Sequence, residues 1–198
     1  MEKSAVMWLL AAFVGAALVW QAIGEEHNAE EEKILRVGDT APNVKLVTVD
    51  ADGNNKPVEL KSFRGKKNVL LAFYPKAFTP GCTRQLCGYR DDFEQFKNAD
   101  TEVFAISVEP QEASNRFKRE YQLPFNVVGD ANQSIVRAFN VPVRGHDGNH
   151  FAKRSVFLID KQGVLKHIDR DYDIEKGQQE LYARLTALKQ SEEPCCAP

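Results

Sequence analysis

Apolar and polar positions divide the chain into an apolar opening stretch, a short acidic run and a long patterned segment. Val44 to Val49 alternates as a half-buried strand does, and Asp50 to Asn55 is a cluster of turn residues. Val58 to Leu60, just after Pro57, reads as a short returning strand. Asn68 to Tyr74 is largely apolar and stops at Pro75, the pattern of a strand buried on both faces. Cys82 to Lys97 reads as a helix and Val103 to Val108 as a second buried strand. Gln111 to Tyr121 has helical spacing ended by Leu123-Pro124. Phe125 to Val128 is a short strand and Asn132 to Phe139 a helix. Ser155 to Ile159 and Val164 to Ile168 flank Asp160-Lys161-Gln162-Gly163, a hairpin signal, and Ile174 to Leu188 closes the pattern as an amphipathic helix. Strand and helix alternate, then a hairpin and a helix follow. That order predicts an α/β fold with a central mixed β-sheet flanked by helices.

The opening stretch is of another kind. Ala5 to Ile23 carries no charge, and its 19 residues span roughly 28 Å as a helix, close to a bilayer core. Trp8 and Trp20 lie near its ends, where interfacial aromatics are favoured. Lys3 precedes it and Glu25, Glu26, Glu30, Glu31 and Glu32 follow, so the positive-inside rule exports the rest of the chain. Two readings compete: an uncleaved membrane anchor, and a signal peptide cut near Ala22-Ile23-Gly24. The length of the run favours the anchor. The expected organisation is therefore an anchor or signal peptide over residues 1–24, a polar linker over 25–34, one domain over 35–189 and a tail over 190–198. The domain is expected on the extracytoplasmic (periplasmic) side, anchored or exported and cleaved.

Composition removes several function classes. The chain has 198 residues and a formal net charge of -2, with both signs interspersed, so nothing points to nucleic acid. Its four cysteines, Cys82, Cys87, Cys195 and Cys196, lack zinc-site spacing, and His27, His146, His150 and His167 do not cluster with them. No structural metal is expected from this spacing.

The candidate chemistry lies in Phe73 to Cys87. Pro80-Gly81 before Cys82 suggests a tight turn into a helix, whose free N–H groups favour a thiolate. Thr79 stands three residues before Cys82, and Cys87 five residues after it. On an ideal helix, residues i and i+5 are rotated by about 140° and risen by about 7.5 Å. Their Cα atoms are then roughly 8–9 Å apart, beyond the about 7 Å limit for a disulfide. Cys82 and Cys87 can bridge only if at least a turn unwinds. The bland reading is two inert cysteines in a helix core.

The run Pro75, Thr79, Cys82 matches the P-x-x-x-T-x-x-C signature of peroxiredoxins, and FYPKAFTPGCTRQLCGYRDDF resembles their bacterioferritin comigratory, or Q-type, subgroup. Arg154-Ser155-Val156-Phe157-Leu158-Ile159-Asp160 resembles the segment with the family's active-site arginine, and Gly38-Asp39-Thr40-Ala41-Pro42 its N-terminal start. The resemblance covers about Leu35 to Leu188 and implies a thioredoxin-like fold, in keeping with the element order. It implies that Cys82 is the peroxidatic nucleophile and becomes a sulfenic acid. Arg154 favours the thiolate and polarises the peroxide, Thr79 aligns the peroxide, and Pro75 shields the sulfur from water. Cys87 resolves the sulfenic acid into an intramolecular disulfide. Hydrogen peroxide or a small organic hydroperoxide is the implied substrate, a thioredoxin-like protein the reductant, and a monomer the state, with no cofactor needed.

Arg90 and Asp91 match the subgroup's run after the second cysteine and read as a solvated helix face. Cys195 and Cys196 lie in a tail outside the domain and are assigned no catalytic role. Two alternatives stay open. A thioredoxin-type thiol–disulfide oxidoreductase would use a C-x-x-C pair and a proline near Ala152-Lys153-Arg154, neither of which is present. A non-enzymatic redox sensor or holdase would use the same cysteines.

Overall fold

The structure, a computed structural model, describes residues 33–49, 54–146 and 149–192. β1 (Lys45–Val49) and β2 (Asn55–Glu59) form an antiparallel ribbon, followed by a 3-10 turn at Leu60–Phe63. β3 (Asn68–Phe73) leads into α1 (Pro80–Asp91) and α2 (Phe93–Asn98). β4 (Thr101–Ser107), α3 (Gln111–Glu120), β5 (Asn126–Gly129) and α4 (Ser134–Ala138) continue the alternation. A second ribbon, β6 (Val143–His146) with β7 (Asn149–Ala152), precedes the hairpin of β8 (Ser155–Ile159) and β9 (Leu165–Asp169). α5 (Ile174–Glu192) follows.

The main sheet has the order β5-β4-β3-β8-β9. β3 runs parallel to β4, and β4 to β5, whereas β8 and β9 are antiparallel. This is the thioredoxin-like α/β fold with a central mixed sheet. β3 is the central strand and all six of its residues are buried. Its alternate residues feed two apolar layers. Leu70, Ala72 and Tyr74 pack with Leu86, Phe96, Phe117, Leu181 and Leu185 from α1, α2, α3 and α5. Val69, Leu71 and Phe73 pack with Leu46, Ile135, Val136 and Phe139 on the other face.

The pairing register makes the site. Phe73, the last residue of β3, stands opposite Ser155, the first of β8. It is also the partner of Ile106 near the end of β4. The segments just past these ends, after Phe73, after Ser107 and before Ser155, therefore meet at one edge of the sheet. That edge lies at the carboxyl ends of the parallel strands, where α/β folds present their binding residues.

Several boundaries differ from the sequence expectations. The helix expected over Cys82 to Lys97 begins two residues earlier and is broken at Asp92, whose φ is -102 and ψ 22. The Asp92 carboxylate accepts hydrogen bonds from Gln178 Nε2 and from the Tyr182 hydroxyl, each at 3.1 Å, which draw the break onto α5. β2 starts at Asn55 and includes Pro57, tolerated because this is a two-stranded ribbon with an open edge. Leu60, expected in that strand, opens the 3-10 turn instead. α4 is shorter than the expected Asn132 to Phe139, because buried Asp130 takes the N–H groups of Ile135 and Val136, each at 2.9 Å, and so caps the helix late. α5 continues past Leu188 to Glu192. The ribbon β6–β7 was not expected.

Among the described residues, no helix is long and apolar enough to cross a membrane. The apolar run over 5–23, the turn at 50–53 and Cys195 and Cys196 lie outside the described residues.

Candidate active site

β3 ends at Phe73 and the chain turns through Tyr74 to Phe78 before α1. Pro75, half-buried, opens this turn. Thr79 is the N-cap, extended at φ -86 and ψ 146, and Pro80 takes the first helical position, where its missing N–H costs nothing. Cys82 is therefore the third helical residue, inside the first turn, where backbone N–H groups lack intrahelical acceptors and favour negative charge. It is a free cysteine, only 1% exposed.

Arg154 reaches this sulfur across 72 positions of sequence. Its Nη2 donates to Cys82 Sγ at 3.4 Å. The register of β8 on β3 explains the contact, since Arg154 immediately precedes Ser155, the partner of Phe73. Nη1 donates to Gln85 Oε1, and Gln85 Nε2 donates to the Tyr89 hydroxyl at 3.3 Å. Gln85 and Tyr89 are both fully buried. Arg154 also shares an open polar depression of about 320 Å³ with Arg84, Tyr172, Asp173, Ile174 and Glu175.

Tyr172, on the segment between β9 and α5, donates its N–H to the Arg154 carbonyl at 3.2 Å. Its hydroxyl faces that of Tyr89 without a well-formed hydrogen bond. Burial pushes the Tyr89 phenol up to about 12 and raises that of Tyr172 as well, so both stay protonated near neutral pH.

The structure thus brings Cys82 and Arg154 together, with Thr79 at the mouth of the helix. Thr79 Oγ1 donates to the Lys76 carbonyl at 3.0 Å rather than capping the helix, which leaves its oxygen as an acceptor. Cys87 is not beside Cys82. Both are free and occupy one unbroken helix, with Cys87 on another face and half-buried. The sequence reading did not single out Gln85 or Tyr89. Their spacing from Cys82, i+3 and i+7, puts them on its helix face, which was the available signal. Arg90 is also more than a solvated face residue: it pairs with Asp91 and donates to the Tyr121 carbonyl at 2.8 Å, tying α1 to the end of α3. Among the described residues, no group of acidic, histidine and cysteine side chains is placed to hold a metal ion.

Comparisons with known proteins bear on the family and the fold. Residues 37–168 match the model of the AhpC/TSA family. The putative peroxiredoxin bcp of Coxiella burnetii is 34% identical over 157 residues, covering 76% of this chain and 99% of the relative. The chain belongs to the peroxiredoxins of the AhpC/TSA family. Peroxiredoxin Bcp of Escherichia coli is 38% identical over 144 residues, covering 70% of this chain and 87% of its own length. Among solved structures, peroxidoxin BcpB from Mycobacterium tuberculosis superposes with a TM-score of 0.67 at 27% identity, covering 77% of this chain and 97% of that one. The chain is thus a peroxiredoxin of the Bcp or Q type, and a thiol-dependent peroxidase.

Proposed function

We propose that Cys82 is the peroxidatic nucleophile and Cys87 its resolving partner. The observation that carries the first assignment is the buried Cys82 sulfur under the Arg154 guanidinium, at the first turn of α1. The Cys82 thiolate attacks one oxygen of the peroxide, the O–O bond breaks, and the departing alkoxide or hydroxide takes a proton. Cys82 becomes a sulfenic acid. Arg154 offers a fixed cation where charge develops on the peroxide oxygens. The Thr79 hydroxyl, which donates its hydrogen bond to the Lys76 carbonyl, accepts the hydrogen of the incoming peroxide. Pro75 screens the sulfur from water. The polar depression beside Arg154 suits hydrogen peroxide and small hydroperoxides.

In the second half, the Cys87 thiolate attacks the sulfenic sulfur, expels hydroxide, which leaves as water, and forms a disulfide. α1 must unwind for this. Unwinding exposes Leu86, whose burial stabilises by about 2 kcal/mol. It also breaks the two Gln85 hydrogen bonds, one of them to a charged group, a loss of about 2–4 kcal/mol. Rewinding returns that energy, and at about 1.4 kcal/mol per 30 mV it makes the disulfide easier to reduce by on the order of 100 mV. A thioredoxin-like dithiol is the fitting reductant, acting on a monomer.

The apolar run over 5–23 supports a tethered enzyme, joined to the domain by a polar linker over 25–34 and held on the extracytoplasmic side. Its electron donor must then work on that side. One assay addresses both points: peroxide consumption driven by a thioredoxin-type dithiol, in separated membrane and soluble fractions of cells making the full chain. Dithiol-dependent consumption in the membrane fraction is expected. Its absence from both fractions rules out the peroxidase reading, and activity confined to the soluble fraction rules out the tether.

A further inference from the structure

The turn that delivers Thr79 to α1 is strained. Phe78 has φ 61, and it is the only aromatic among the described non-glycine residues with positive φ. A residue with a Cβ is disfavoured there and stays only where its surroundings fix it. The restraints come from one side of the fold. Glu109, two residues beyond the end of β4, accepts the Ala77 N–H at 2.7 Å and the Ser107 hydroxyl at 3.2 Å on its Oε2. The Phe78 ring is held by α3 and its cap: the Arg116 guanidinium stands 4.4 Å from the ring centroid, Phe117 5.0 Å and Tyr121 6.2 Å. β3 and β4 run parallel and end together, so a carboxylate just past β4 lies under the turn just past β3.

Burial agrees with this arrangement. Beneath the turn, Tyr74, Ser107 and Ser114 form a polar island, all three fully buried. The Tyr74 and Ser114 hydroxyls have no well-formed partner. Burial raises the Tyr74 phenol well above its ordinary value, so it stays neutral. A charged acceptor at the rim of an island in an apolar layer is costly to keep unless it is used.

We propose that Glu109 is a positioning residue for the peroxidatic turn: by holding the Ala77 N–H it keeps Phe78 in its left-handed conformation and so sets Pro75 and Thr79 against the Cys82 sulfur. The proposal rests on Cys82 and Thr79 having the roles assigned above. Glu109 has no contact with Cys82 or Arg154 among its hydrogen bonds, so its loss disturbs the alignment of the peroxide and leaves the thiolate in place.

The test separates these two effects. Glu109→Ala is expected to slow oxidation of Cys82 by hydrogen peroxide about 10- to 100-fold, the cost of a misplacement of about 1 Å. Alkylation of Cys82 by iodoacetamide needs a thiolate but no aligned peroxide, so its rate is expected to stay at or above about half of wild type, rising where Pro75 is drawn off the sulfur. Glu109→Gln keeps an acceptor oxygen at the same reach and is expected to retain at least about a third of the oxidation rate, whereas Glu109→Asp, one methylene short, is slowed like the alanine variant. Oxidation of Glu109→Ala within twofold of wild type overturns the proposal. So does equal impairment of the Gln and Ala variants, or alkylation that falls in step with oxidation. If Glu109→Ala does not fold, the Asp and Gln variants decide: Gln faster than Asp supports the proposal, and the reverse order overturns it. Failure of wild-type Cys82 to react with peroxide would instead remove the underlying assignment.

Discussion

Cys82→Ser is expected to lower peroxide turnover at least about a thousandfold, to the level of the reductant alone. A serine hydroxyl is not ionised at neutral pH, and neither the first turn of α1 nor Arg154 supplies a base to ionise it. The fold should survive, because serine keeps the shape of cysteine in a slightly smaller volume and its hydroxyl can accept from Arg154 as the sulfur does. Cys87→Ser should behave differently. It should consume about one equivalent of peroxide per chain, then stall as a sulfenic acid and advance to sulfinic acid with excess oxidant. A Cys82→Ser variant with full turnover would place the reactive thiol elsewhere in the chain.

Arg154→Leu is expected to slow the first oxidation about 10²- to 10³-fold, the usual effect of removing one preorganised donor from developing charge. Two losses combine in this variant. The sulfur loses its cation at 3.4 Å, and the fully buried Gln85 oxygen loses its donor. Arg154→Lys separates them. One ammonium keeps the charge but cannot reach both the sulfur and Gln85 as the guanidinium fork does. It should therefore fall between wild type and Arg154→Leu. Both tryptophans, Trp8 and Trp20, lie in the apolar run far from Cys82 in sequence, so the rates are best followed by acid quench and mass measurement. A lysine variant as slow as the leucine variant would mean that geometry, and not charge, is what Arg154 contributes. A leucine variant at wild-type speed would remove Arg154 from the site.

Much of this was legible in the residues. The apolar run from Asn68 ending at Pro75 marked β3 within one residue, and the Asp160 to Gly163 turn marked the β8–β9 hairpin. Local patterns of apolar spacing and turn chemistry determine such elements, and the chain carries them plainly. The β6–β7 ribbon was not legible, because its short polar strands lack an apolar stripe. The break at Asp92 was not legible, because it depends on Gln178 and Tyr182, far along the chain. The same limit applies at the site. Cys82, Thr79 and Cys87 lie in one local string, and the i+5 spacing alone showed that they cannot bridge in an intact helix. Arg154 came from a family pattern, and only the β3–β8 register explains why it meets the sulfur. Gln85 shares a helix face with Cys82, but nothing in sequence says that its amide will hold the arginine. Glu109 belongs to a turn between β4 and α3 whose neighbour, the Ala77 N–H, is set by parallel pairing of two strands.

A single peptide map probes the Cys82–Cys87 mechanism. Trypsin cuts after Lys76, Arg84 and Arg90, so Cys82 falls in peptide 77–84 and Cys87 in peptide 85–90. After one equivalent of hydrogen peroxide, quenched with a thiol-blocking reagent and digested without reduction, these two peptides should appear joined through a disulfide, two hydrogens lighter than their sum. The blocked single peptides should disappear in step, and a thioredoxin-type dithiol should restore them. Peptide 77–84 carrying sulfinic acid beside a blocked, unoxidised Cys87, or joined instead to Cys195 or Cys196, would contradict the mechanism and the unwinding of α1 on which it depends.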